Sequence, residues 1–181
     1  KHPDRLIKLP WANIHNWNFA YSAVRDLKVN ILSEVASMYD VDGVQVDLAR
    51  TPIFFPEGTA WQNRHHLTAF FRQLREAFQE IAHQRGRPLL IAVRVPESLV
   101  GCTFDGMDVE TWVQERLVDI FITGCGASDV DVDAYQRLSK SGNVRIYPSW
   151  DVIHPTDGYR QPPVEYWRGF YSKWWELGAD G

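Results

Sequence analysis

The stretch from Val41 to Arg50, VDGVQVDLAR, constrains the fold of this chain more than any other segment. Its apolar side chains recur with the period of two that a β-strand requires. One side of such a strand receives Val44, Val46 and Leu48, and the other receives Gly43, Gln45 and Asp47. The strand therefore carries a carboxylate, Asp47, at the end where the chain leaves it.

Helices and short strands alternate along the chain. The helices are predicted from Ala23 to near Asp40, from Gln62 to Arg85, directly after Asp108, from Val132 to Ser139 and after Pro163. The strands are predicted from Val41, over Leu89–Val95, over Asp119–Thr123 and over Val144–Pro148, and Leu89–Val95 is apolar enough to be buried on both faces. This order is typical of stacked βαβ units with parallel strands.

The regular alternation favours a (β/α)8 TIM barrel. The closing LGADG, residues 177–181, repeats the form of YDVDG, residues 39–43, and so predicts that a further strand begins at Gly181. We therefore expect residues 1–181 to form a single partial barrel domain, about strands four to seven, within a longer protein. A doubly wound sheet is the alternative, but no glycine-rich phosphate loop follows any predicted strand.

Charge and composition exclude several partners. The net charge of -4 and the absence of a Lys or Arg cluster argue against a nucleic-acid surface. No run of 18 apolar residues is present, so no membrane span is predicted. The first residues have no signal-peptide pattern, but a mature chain lacks one, and a secreted or periplasmic location stays open. Cys102 and Cys125 are either free thiols or one disulfide.

The stretch from Asn18 to Gly181 resembles the TIM-barrel glycoside-hydrolase-like families. The residues that carry this resemblance are YDVDGVQVDLAR (39–50), IAVRVP (91–96), WVQERLVDI (112–120) and LGADG (177–181). The resemblance implies that residues 43–47 belong to the fourth barrel strand. It also implies that Asp47 occupies the position where the alpha-amylase and alpha-galactosidase clans keep a catalytic carboxylate. Gln45 departs from the Glu of many relatives and removes one possible carboxylate partner.

Glycoside hydrolysis usually requires two carboxyl groups, one that donates a proton and one that attacks the sugar or activates water. The predicted catalytic residues are Asp47, Glu97 and Asp151, and the predicted substrate-binding residues are Arg50, Arg94, Tyr147 and Trp150. All follow or end predicted strands, where a barrel places its active site. Asp47 is the expected nucleophile or base, and Glu97 or Asp151 the expected proton donor.

Each of these assignments has a structural alternative. In the alternative interpretation Asp47 only forms an ion pair with Arg50 or Arg94. Such a pair is compatible with catalysis, because a guanidinium keeps a carboxylate ionised. In the same interpretation Glu97 is a solvated loop charge, and Asp105 is interpreted as a turn residue. The acidic residues are not clustered at metal-ligand spacings, so neither a metal nor a cofactor is predicted.

Three classes of function stay open. The first is a glycosidase that acts on a poly- or oligosaccharide. The second is a non-catalytic carbohydrate-binding barrel or an inactive fragment, which does not need paired carboxylates. The third is a barrel enzyme of another chemistry, because fold does not fix function. A carbohydrate is the expected partner, and a homo-oligomer is possible.

Overall fold

The structure is a computed structural model that describes residues 2–9, 15–125, 127–150 and 163–181. The strands are β1 (Leu6–Lys8), β2 (His15–Trp17), β3 (Gly43–Asp47), β4 (Leu90–Val95), β5 (Ile120–Thr123) and β6 (Arg145–Pro148). The helices are α1 (Ser22–Met38), α2 (Ala60–Arg85), α3 (Leu99–Phe104), α4 (Val109–Gln114), α5 (Val132–Ser139) and α6 (Val164–Glu176). No helix in this part of the chain is both long and apolar enough to cross a membrane.

The strands form two sheets. β1 and β2 make a small antiparallel hairpin, whereas β3, β4, β5 and β6 form a parallel sheet in chain order. The predicted parallel arrangement of these strands is confirmed. The fold is therefore mixed α/β, with an open sheet of four strands among the described residues. Closure into a barrel stays a prediction.

Local chemistry sets the ends of several helices. Gly86 adopts a left-handed conformation with φ of 68° and ends α2, as the sequence predicts. The carboxylate of Asp108 accepts the N–H of Thr111 at 3.2 Å and caps α4. The stretch after β4, predicted as a loop, contains α3, which Ser98 caps by accepting the N–H of Gly101 at 3.1 Å. That prediction was wrong because six residues are too few to show helical periodicity.

The two faces of the parallel sheet differ in burial. One face packs against the helices, and its residues Ile91, Val93, Val95, Phe121 and Ile146 are fully buried. The opposite face carries the rows Gln45, Ala92, Ile120, Arg145 and Asp47, Arg94, Ile122, Tyr147. Leu90 on that face is 41% exposed, so the prediction that β4 is buried on both faces was wrong. The physical reason is that the described helices cover only one side of the sheet. A doubly wound sheet, in contrast, has helices on both faces.

Two aspartates hold the sheet in the same way at two places. The N–H of Asp119 donates to the carbonyl of Ile91 at 2.9 Å, and its carboxylate accepts the N–H of Ile91 at 2.7 Å. Asp180 makes the same pair of bonds with Ile146, at 2.9 and 2.8 Å. Asp119 directly precedes β5. Asp180 thus makes against β6 the same pair of bonds that Asp119 makes against β4, whereas a further strand from Gly181 stays a prediction.

We expect Gly43→Ala to lower the free energy of unfolding by about 1–3 kcal/mol, because overpacking against backbone cannot relax. A Cβ at this position would lie 2.3 Å from the carbonyl oxygen of Leu90 on the neighbouring strand. Gly169→Ala in α6 is the control, since no atom lies within 4 Å of its added Cβ. We expect the control to raise stability by about 0.5–1 kcal/mol. Urea unfolding measures both, and equal effects would contradict the assigned strand register.

Candidate active site at the carboxyl end of the parallel sheet

Asp47 ends β3 with both of its carboxylate oxygens engaged. Oδ1 accepts the N–H groups of Ala49 and Arg50, each at 3.1 Å. Oδ2 lies 3.4 Å from Nη1 of Arg94, its register neighbour on β4. The Asp47 side chain remains 37% exposed and that of Arg94 16% exposed. The carboxylate is therefore held in place by donors while its outer surface stays accessible.

Arg94 connects the ends of several strands. Its Nε donates to the carbonyl of Gly124, which follows β5, at 3.1 Å. The same carbonyl accepts the hydroxyl of Ser149, which follows β6, at 2.8 Å. Asp47, Arg94, Gly124 and Ser149 thus form one chain of contacts across the carboxyl ends of β3 to β6. Sequence analysis predicted the position of Arg94 but not this link through Gly124 and Ser149.

The other predicted substrate-binding residues have different environments. Tyr147 lies in the same row as Asp47 and Arg94 on the open face of the sheet and is half-buried. Arg50, three residues after Asp47, is exposed. Trp150 is only 8% exposed, because its ring packs 4.6 Å from that of Trp167 in α6. Such burial suits a packing role for Trp150 better than an open platform for a sugar.

Of the two predicted proton donors, Glu97 is described and Asp151 lies outside the described residues. Oε1 of Glu97 accepts the N–H groups of Cys125 and Ala127, each at 2.9 Å. The backbone carbonyl of Glu97 also accepts the N–H of Asp131 at 2.9 Å. Glu97 is therefore not a solvated loop charge, because it organises the loop between β5 and α5.

Asp105 is a candidate that sequence analysis treated as a turn residue. It follows α3, and its N–H donates to the carbonyl of Gly101 at 3.0 Å. Burial raises the pKa of the Asp105 carboxyl to about 6, and the nearby charge of Glu97 adds to this effect. No pattern in the sequence signals this burial, which depends on contacts in the tertiary structure. Asp105 thus keeps its proton up to about pH 6, well above the range of an ordinary carboxyl group.

A cavity of about 330 Å³ adjoins Asp47 along the free edge of β3. Its polar lining residues are Asn16, Lys28, Gln45 and Asp47, and its aromatic ones are Trp17, Phe19, Phe54 and Phe70. The amide of Asn16 donates to the carbonyls of Thr51 and Ile53, at 3.1 and 3.2 Å, and ties β2 to the loop after β3. This volume lies within the usual range for ligand sites.

Asn16, Trp17 and Lys28 are not predicted as site residues by any pattern in the sequence. They lie on β2 and α1, early in the chain and far in sequence from Asp47. The first twenty residues show no periodicity that signals which side chains face β3. Only the path of the chain brings these three side chains to the same cavity.

No disulfide joins Cys102 and Cys125. Cys102 is fully buried, and its Sγ lies 3.0 Å from the hydroxyl of Tyr135. Burial raises the pKa of the Cys102 thiol to about 12, which makes it a poor nucleophile. Among the described residues, no group of three His, Cys, Asp or Glu side chains is placed to hold a metal ion.

No protein-family model matches the chain, and no curated protein matches it. Among solved structures, the chain is similar to a glycoside hydrolase family 18 N-acetylglucosaminidase from Paenibacillus barengoltzii, with 19% sequence identity and a TM-score of 0.47. The match covers 58% of this chain and 30% of that chain. A similarity of this extent identifies neither the family nor the activity of the present protein.

The raised pKa of Asp105 predicts a pH-dependent effect on stability. Its value of about 6 in the folded protein lies above the ordinary 3.8, so ionisation costs stability as pH rises from about 4 to 6. Asp105→Asn removes this cost. We expect the variant to be more stable than wild type at pH 7, by about 1 kcal/mol after allowance for partial solvent exposure, and to lose this advantage by pH 4.

Urea unfolding between pH 4 and pH 8 measures this difference. Asp133→Asn is the control, because it removes an exposed carboxylate that pairs with Arg137 within α5. We expect the control to change stability by less than about 0.5 kcal/mol. An Asp105→Asn variant whose advantage does not depend on pH would show that the Asp105 carboxyl is not the titrating group.

Proposed function

We propose that this protein is a glycoside hydrolase that acts on a poly- or oligosaccharide, with Asp47 as the nucleophilic or basic carboxylate. The observation that carries this proposal is the position of Asp47, which is held by Arg94 at the rim of the cavity and stays exposed. A carboxylate at the carboxyl end of a parallel strand, beside a cavity of ligand size, is the arrangement expected of an α/β active site.

The surroundings of Asp47 suit a carboxylate that reacts as an acceptor. Two backbone N–H groups and the Arg94 guanidinium donate to its oxygens. Fixed donors also hold the side chain in a single orientation, which a nucleophile or general base requires. The exposed fraction of the side chain leaves a path for the anomeric carbon or for a water molecule.

The proton donor is to be chosen among Glu97, Asp151 and Asp105. Glu97 and Asp151 are favoured by their positions after β4 and β6, whereas Asp105 is favoured by its raised pKa of about 6. Glycoside hydrolysis uses one carboxyl group that keeps its proton to a raised pH and a second one that is ionised. Arg94, Arg50, Tyr147 and Trp150 are proposed to contact the substrate or to hold the groups that do.

We expect Asp47→Asn to lower the turnover of a cleaved glycoside by about a thousandfold or more, because an amide can neither attack nor accept a proton. Aryl glycosides and the release of reducing ends from polysaccharides provide the assays. Asp42→Asn is the matched control, since Asp42 lies directly before β3, at its opposite end, and is 88% exposed. We expect the control to retain turnover within about twofold.

Two outcomes would contradict this assignment. Wild-type turnover by Asp47→Asn would show that Asp47 is structural. Saccharide binding without turnover by the wild-type protein would instead favour the non-catalytic carbohydrate-binding alternative.

The proton donor is identified by the leaving group. A glycoside with a strongly acidic phenol as leaving group needs no protonation, so a variant without the donor retains activity on it and loses activity on an alkyl glycoside. We expect one of Glu97→Gln, Asp105→Asn and Asp151→Asn to show this split, and the other two to affect both substrates alike. If Asp105 is the donor, wild-type activity falls as pH rises above about 6, because the carboxyl then loses its proton.

A further inference from the structure

The cavity beside Asp47 combines an aromatic ring with a cation. Trp17 on β2 is 39% exposed, and Nζ of Lys28 on α1 lies 5.6 Å from the centroid of its ring. Both side chains line the cavity together with Asp47. A ligand in this space therefore meets an apolar surface and an ammonium group within a few ångströms of each other.

The charges around the cavity are not balanced. Asp47 is already neutralised by Arg94 and by the N–H groups of Ala49 and Arg50. Among the described residues, no carboxylate lies within ion-pair distance of Lys28. The uncompensated charge at the cavity is therefore positive, which favours a ligand with a negative group.

We propose that this cavity binds an acidic saccharide, a sugar unit that bears a carboxylate. The C–H face of the sugar packs against Trp17, and its carboxylate faces the ammonium of Lys28. An aromatic ring provides apolar contact for the C–H groups of a sugar. A charge-assisted contact with the ammonium group adds selectivity for the acid. The proposal rests on the proposed function and adds to it the class of sugar that the site prefers.

Gln45 and Asn16 supply the polar part of the same cavity. Both line it, and Asn16 is held by its bonds to Thr51 and Ile53. A pocket of aromatic rings with a few placed amides, one ammonium group and one carboxylate fits the amphipathic surface of a sugar. Phe54 and Phe70 close the apolar side of the space.

The chain also contains a matched control for the aromatic and cation pair. Trp61 on α2 is 42% exposed, and the guanidinium of Arg64 lies 4.4 Å from the centroid of its ring. Trp61 does not line the cavity. Trp61→Ala therefore removes an indole of similar exposure and similar cation contact from a different surface.

The test is calorimetry of saccharide binding to the full-length protein. The ligands are tetrasaccharides of glucuronate, galacturonate and mannuronate, and each is compared with the tetrasaccharide of the corresponding neutral hexose. We expect at least one uronate to bind about tenfold or more tightly than its neutral counterpart. Raising sodium chloride from about 0.05 M to about 0.5 M should reduce this preference, because salt screens the ammonium.

The variants assign the binding to named side chains. We expect Trp17→Ala to weaken binding of the uronate and of the neutral sugar alike, by about tenfold or more. Lys28→Met removes the charge but keeps an unbranched side chain that is shorter by one atom, and we expect it to remove the preference for the uronate without weakening the neutral sugar. Trp61→Ala should bind both as the wild type does.

Absence of uronate binding by the wild type, or a preference for the uronate that survives in Lys28→Met, overturns the proposal. Equal losses in Trp17→Ala and Trp61→Ala overturn it as well. Calorimetry does not require hydrolysis, so the two proposals fail separately. Uronate binding as expected without turnover of any glycoside refutes the proposed function alone, whereas turnover of neutral glycosides without uronate binding refutes the acidic saccharide alone.

Discussion

Burial of one face of the parallel sheet is the constraint on which the other features depend. Ile91, Val93, Phe121 and Ile146 pack against the helices, and a shift of any strand by one residue would turn them to the open face. The loss of apolar burial from such a shift would be several kcal/mol for each strand, at roughly 1.5–3 kcal/mol for each large side chain. The register is therefore determined by the core, and the polar side chains of the opposite face follow from it.

That register creates the electrostatic centre of the candidate site. Asp47 and Arg94 are partners across β3 and β4, so the carboxylate obtains its cation without any loop to bring it there. Arg94 in turn reaches Gly124, and Ser149 shares the same carbonyl. The strands thus place the charged pair, and the loops after β5 and β6 hold it.

The carboxyl groups near the sheet end differ because their surroundings differ. Glu97 accepts two backbone N–H groups and orders the loop after β5. Asp105, the residue after α3, is half-buried near the charge of Glu97, and the pKa of its carboxyl group rises to about 6. The two acids therefore have different surroundings, because backbone donors hold Glu97 whereas burial favours the protonated form of Asp105.

The sequence by itself determined the order of the main helices and strands, the parallel arrangement of the strands, and the positions of Asp47 and Arg94 at strand ends. These features depend on local periodicity and turn chemistry. It did not reveal α3, the one-sided burial of β4 or the environment of Asp105. Trp17 and Lys28 became neighbours of Asp47 only in the tertiary structure. The physical reason is that burial, desolvation and cavity lining depend on contacts between segments distant in sequence, which no local pattern records.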